Sequence, residues 1–123
     1  MTTYADHQHL IQQFKLLASK VIPNLRIFDR HVGLFYTKNG DPIKIGMNGQ
    51  SDCWAIYKCK NAKLLIHVEL EFKTGKAIQS KDQKNWEKFI TENNGTYLLI
   101  RSDSQVYELK KILDIYENLL KLF

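Results

Sequence analysis

A chain of 123 residues, 44% of them hydrophobic, is long enough to bury one core and too apolar to remain disordered. Lys plus Arg (18) outnumber Asp plus Glu (13), and the net charge of +5 tilts the surface toward a polyanionic partner. Apolar runs fall far short of the about 20 residues a membrane span needs, and two cysteines exclude a disulfide framework or a four-cysteine zinc site.

Leu10, Ile11, Phe14, Leu17 and Val21 recur at helical spacing from Tyr4 onward, and Pro23-Asn24 ends that helix. Arg26 to Phe28 and Gly33 to Tyr36 read as extended. Lys38-Asn39-Gly40-Asp41 is a hairpin turn, because Asn-Gly tolerates positive φ. A glycine-rich turn (Gly46 to Gly49) leads into a strand near Asp52 to Tyr57, with a turn at Lys60-Asn61. Leu64 to Lys73 then alternates. Leu64, Ile66, Val68, Leu70 and Phe72 share one face; Leu65, His67, Glu69, Glu71 and Lys73 share the other. Ser80 opens a second helix with Gln83 as its capping-box partner, and Trp86, Phe89 and Ile90 are its expected buried face. Gly95 stops it. Thr96 to Arg101 is a short buried strand, and Ser102 to Ser104 caps a final helix reaching Phe123. Strand, helix and strand across 64–101 predict one parallel crossover in an otherwise antiparallel sheet, an α/β domain over residues 1–123.

The chemistry concentrates in Asp52, which follows a glycine turn, and in Glu71-Phe72-Lys73. Residues i and i+2 of a strand project from one face, so Glu71 and Lys73 stand side by side. A neighbouring strand could bring Asp52 to the same point. Two carboxylates and the backbone carbonyl of Phe72 would suit Mg²⁺ or Mn²⁺, which would activate a water against a phosphodiester while Lys73 contacts the scissile phosphate or orients that water. The same residues also fit the solvated face of an edge strand, with Glu71 and Lys73 in weak exposed pairs. Gln83 either only caps Ser80 or reaches the rim of the site.

Further motifs lie in order around these: His31-Val32-Gly33, Phe35-Tyr36, Ile45-Gly46, Gly49-Gln50-Ser51-Asp52, Glu71-Phe72-Lys73-Thr74-Gly75, and Ser80-Lys81-Asp82-Gln83 with Trp86. Through them the run from Phe28 to Arg101 resembles the virus-type replication-repair nuclease (VRR-NUC) domain of the PD-(D/E)xK superfamily. The resemblance implies a restriction-endonuclease-like, Holliday-junction-resolvase-like mixed sheet flanked by helices. It also implies a homodimeric endonuclease for branched or structured DNA, of the small stand-alone type typical of phages and bacteria. Asp52 and Glu71 would bind metal, Lys73 would be the catalytic lysine, and Gln83 would support the site. The family's glutamate in the first helix has no carboxylate counterpart at His7, Gln8 or His9, which leaves one ligand fewer, a substitution by His9, or a weakened copy of the site. Asp29-Arg30-His31 stands where the family often has an Arg-Asn pair, which puts substrate contacts there in doubt.

Lys58, Lys60, Lys63, Lys73, Lys76, Lys81, Lys84 and Lys88 surround the proposed site, and Lys76 and Lys81 are the best placed to meet DNA phosphates. Leu109, Ile112, Tyr116, Leu119 and Phe123, widened by Leu113 and Leu120, form a stripe for the core and for a two-fold interface. Cys53 and Cys59 are expected as free thiols. Met1 to Asp6 lacks the basic and apolar regions of a secretory signal, so a cytoplasmic protein is expected. The alternative to a nuclease is a DNA- or protein-binding module that keeps the fold without turnover.

Overall fold

Thr3 fixes the start of the first helix. Its Oγ1 accepts the Asp6 N–H at 3.1 Å while the Asp6 carboxylate accepts the Thr3 N–H at 3.0 Å, a reciprocal cap that opens α1 (Tyr4–Val21). The structure is a computed structural model that describes residues 3–122; Met1, Thr2 and the Phe123 assigned to the last helix lie outside the described residues. Leu10, Ile11, Phe14 and Ala18 form the buried stripe of α1.

After α1 the chain forms β1 (Leu25–Asp29), then a hairpin of β2 (Gly33–Tyr36) and β3 (Pro42–Ile45). Next come β4 (Cys53–Lys58), β5 (Leu65–Phe72), α2 (Lys81–Glu92) and β6 (Thr96–Ile100). A single 3₁₀ turn at Asp103–Gln105 leads into α3 (Val106–Leu120). The strands form a four-stranded sheet in the order β1-β4-β5-β6 and a separate two-stranded sheet, β2-β3. Only β5 and β6 run parallel, joined through α2, as the strand–helix–strand pattern predicted. The protein is therefore an α/β structure with a mixed sheet. Among the described residues no helix is long and apolar enough to cross a membrane.

One face of the sheet carries Cys53, Ala55 and Tyr57 from β4, Val68, Leu70 and Phe72 from β5, and Leu98 and Ile100 from β6. This face buries the stripe of α1 and Val106, Leu109 and Leu113 of α3, with the Phe14 and Phe72 rings edge to face at 5.4 Å. Both cysteines are free and buried here, and burial followed by the nearby Asp29 carboxylate pushes the Cys53 thiol up to about 12. A reactive thiolate is absent from the chemistry below.

Two helices depart from their expected packing. No residue of α2 is fully buried, and Phe89 is 58% exposed; the sheet face beneath carries Glu69 and Glu71 beside Tyr97 and Leu99. The α3 stripe runs through Val106, Leu109, Leu113 and Glu117, leaving Ile112 half-buried and Leu119 exposed. Glu117 takes the place expected for an apolar residue because its carboxylate accepts the Lys60 N–H (2.8 and 3.1 Å) in the β4–β5 turn. Glu117→Ala strands that N–H and should lower stability by about 1–3 kcal/mol, read as a shift of the urea midpoint, with Glu117→Gln closer to the parent.

Candidate metal centre

A strand with partners on both sides cannot offer a solvated edge, and β5 lies between β4 and β6. Glu69 and Glu71 project from the face opposite the apolar core and are 0% and 1% exposed. The exposed edge strand that the sequence left open is thereby excluded. Two adjacent buried carboxylates need compensation, and they receive it unequally.

Glu69 is fully engaged. Arg30, just beyond β1, approaches it through two nitrogens (Nη1 2.5 Å, Nη2 3.0 Å), Trp86 Nε1 of α2 donates at 2.9 Å, and His67 Nε2 closes the second oxygen. Burial alone would raise this carboxyl; the bonds from Arg30 and His67 outweigh it and hold the pKa below the usual carboxylate value. Arg30 is pinned further by Ser51 O (3.2 Å) and lies over the Trp86 ring at 5.9 Å. This segment, in doubt as a substrate contact, is a structural clamp.

Glu71 is different. Its Oε1 accepts one bond, from Gln83 Nε2 at 3.2 Å, and its buried Oε2 has no hydrogen-bond partner. Gln83 does both jobs that the sequence allowed it, since its side-chain oxygen also accepts the Ser80 N–H at 2.9 Å. Burial, and then the neighbouring Asp52 carboxylate, push the Glu71 carboxyl up to about 9, with Lys73 and Arg30 pulling the other way. Without a cation, the folded site keeps on Glu71 a proton that an exposed glutamate would release.

Asp52 reaches Glu71 because the chain before β4 turns sharply. Gly49 sits at φ +88°, and a Cβ there would lie 2.3 Å from the Asp82 carbonyl, so only glycine lets this turn press on the start of α2. Beyond Cys53 the backbone leaves the ladder, and Asp52 Oδ2 accepts the Phe72 N–H at 2.8 Å in place of a strand carbonyl. His7 Nε2 lies 3.2 Å from that same Oδ2 and 3.0 Å from the Phe72 carbonyl oxygen. A carbonyl only accepts, so Nε2 carries the proton.

Lys73 follows β5, half-buried, its N–H bonded to Ile100 O at 2.9 Å. Lys76 and Lys81 are exposed, one in the β5–α2 connection and the other opening α2. Asp52, Glu71, the Phe72 carbonyl and Gln83 are thus brought together, with Lys73 beside them and Lys76 and Lys81 on the approach. The sequence offered His9 as the substitute ligand, but His9 is exposed and His7 is the residue at the site. Helical spacing held the signal: His7 precedes Leu10, Ile11 and Phe14 at i+3, i+4 and i+7, the buried stripe of α1. The partners of Glu69 had no such local pattern.

Among the described residues, no three or more His, Cys, Asp and Glu side chains are gathered into a metal-binding group. A cation here would rest on Asp52, Glu71 and the Phe72 carbonyl. They fit one: the Glu71 Oε2 is buried and orphaned, the carboxylates are short of positive charge, and all three donors are hard oxygens suited to Mg²⁺ or Mn²⁺. Compared with known protein families, curated proteins and solved structures, the chain matches none. The residues themselves carry the functional argument.

Two measurements probe this electrostatics. The folded-state pKa of Glu71 is raised above its unfolded value, so the folded state binds the extra proton and stability falls as pH rises from about 4.5 toward 9. Urea unfolding in EDTA should show that slope, and Glu71→Gln should flatten it. Arg30→Met leaves the Glu69 charge buried without its main partner and should cost about 3–5 kcal/mol in the same assay, whatever metal is present.

Proposed function

We propose that the chain is a metal-dependent endonuclease that hydrolyses phosphodiester bonds in branched or structured DNA, a small stand-alone VRR-NUC domain with a PD-(D/E)xK site on a resolvase-like core. One observation carries this reading. Glu71 is buried on a central strand with an oxygen that nothing answers, beside Asp52 and two residues from Lys73. A structural glutamate in the same strand, Glu69, has every partner it needs; Glu71 lacks one.

Asp52, Glu71 and the Phe72 carbonyl hold Mg²⁺ or Mn²⁺. The bound cation lowers the pKa of a water and offsets charge on the phosphate. Gln83 fixes the Glu71 carboxylate through Oε1 and leaves the buried Oε2 free to meet a cation. Lys73 presents its ammonium to the scissile phosphate, where negative charge grows during attack. Lys76 and Lys81 track neighbouring phosphates, in keeping with the net charge of +5. The β2–β3 hairpin exposes Leu34, Phe35, Tyr36, Ile43 and Ile45, and a lone two-stranded sheet is marginal by itself. That supports a homodimer presenting two sites to one junction. The protein works in the cytoplasm of a bacterium or a phage-infected cell.

A second reading, a nuclease-fold module that binds DNA or a protein without turnover, is favoured by the absence of a ready three-side-chain metal cluster among the described residues. Labelled four-way, flap, nicked and linear duplex DNA in Mg²⁺, Mn²⁺ or EDTA separates the two. Cutting that needs metal, and that Glu71→Ala and Lys73→Ala each lower by about 100-fold or more, is the expected outcome. Binding without cutting, unchanged in both variants, would leave only the binding module.

A further inference from the structure

An imidazole nitrogen stands where two oxygens of the site converge. His7 Nε2 is 3.2 Å from Asp52 Oδ2 and 3.0 Å from Phe72 O, and the His7 and Asp52 side chains are only 25% and 27% exposed. In an octahedral ion with bonds of about 2.1–2.2 Å, adjacent donor atoms lie about 3.0 Å apart. His7 Nε2 is therefore already spaced from each of these two oxygens as one ligand of a cation is from its neighbour. Among the described residues His7, Asp52 and Glu71 do not form a preassembled three-side-chain group, so Glu71 would complete the coordination only by moving toward the cation.

We propose that His7 Nε2 is a direct ligand of the cation bound by Asp52, and that it biases the site toward a divalent transition ion and against Mg²⁺. This rests on the cation-binding reading of the site above. The free protein holds the place with a proton: the Nε2–H donates to both oxygens. On binding, the Nε2 proton leaves to solvent, the proton that remains on the ring sits on Nδ1, and Nε2 offers its lone pair to the cation. Mg²⁺ gives up water reluctantly and favours oxygen, whereas an imidazole nitrogen suits the transition ions. The position of His7 on a rigid helix, one turn before Leu10 and Ile11 enter the core, fixes the ring without help from the metal.

Mn²⁺ is the probe. Binding is followed by loss of the free-ion electron paramagnetic resonance signal, and nitrogen ligation by ¹⁴N coupling in pulsed spectra. The full chain is compared with its His7→Glu, His7→Ala and Asp52→Asn variants, and Mg²⁺ affinity is measured by calorimetry. The expected result is ¹⁴N coupling in the parent that both His7 variants lose. His7→Glu should still bind Mn²⁺, with its preference for Mn²⁺ over Mg²⁺ reduced by about tenfold or more. Mn²⁺ bound without ¹⁴N coupling in the parent, or coupling that persists in both His7 variants, overturns this proposal and leaves the cation site standing. No Mn²⁺ binding by the parent protein overturns both together. Thermal melts of the variants confirm that each remains folded.

Discussion

Two glutamates placed on one face of a central strand set the terms for everything built around them. Burying Glu69 and Glu71 takes both carboxylates out of water, and such charges persist only where partners surround them. Arg30 comes from beyond the first strand, Trp86 and Gln83 from the second helix, and Asp52 and its glycine turn close the remaining side. These contacts join parts of the chain that the apolar core alone does not bring together. The core on the other face fixes the sheet; the carboxylates fix what stands over it.

The two glutamates differ in how far the protein satisfies them. Glu69 is held on both oxygens by strong donors, and its charge is settled within the protein. Glu71 has a neutral amide on one oxygen and nothing on the other, with a second carboxylate alongside. A fold could have satisfied it as it satisfied Glu69, two residues earlier on the same strand. The shortfall is local and specific to one atom, on a carboxyl that neighbours Asp52.

Much of the framework was legible because its signals are local. The alternation along β5, the Asn-Gly turn, the Ser80–Gln83 cap and the single parallel crossover all follow from residues close in sequence. Three features were not. Glu117 in the α3 stripe reads as a break in periodicity until its carboxylate is seen capping the Lys60 N–H far away in sequence. The exposed Phe89 reads as core because nothing local says how little of α2 the sheet covers. The pairing of Arg30 with Glu69, and of His7 with Asp52, depends on tertiary geometry that brings α1, β1 and the start of β4 to one end of β5. Residue types announced the site; the distinction between its satisfied and unsatisfied members required coordinates.

The attachment of α2 has a consequence for how the molecule opens. Its inward contacts include an amide to Glu71, an indole N–H to Glu69, the close seat on Gly49 and the half-buried Trp86 and Ile90, and none of its side chains is fully buried. A segment with so little apolar area against its neighbours belongs to the low end of a protein's range of local stabilities. Lifting it exchanges a few polar contacts for water and leaves the core of α1, α3 and the sheet untouched. The helix that roofs the carboxylates is thus a loosely seated lid on a rigid floor, so a bulky, stiff polymer could reach that floor without melting the rest of the fold.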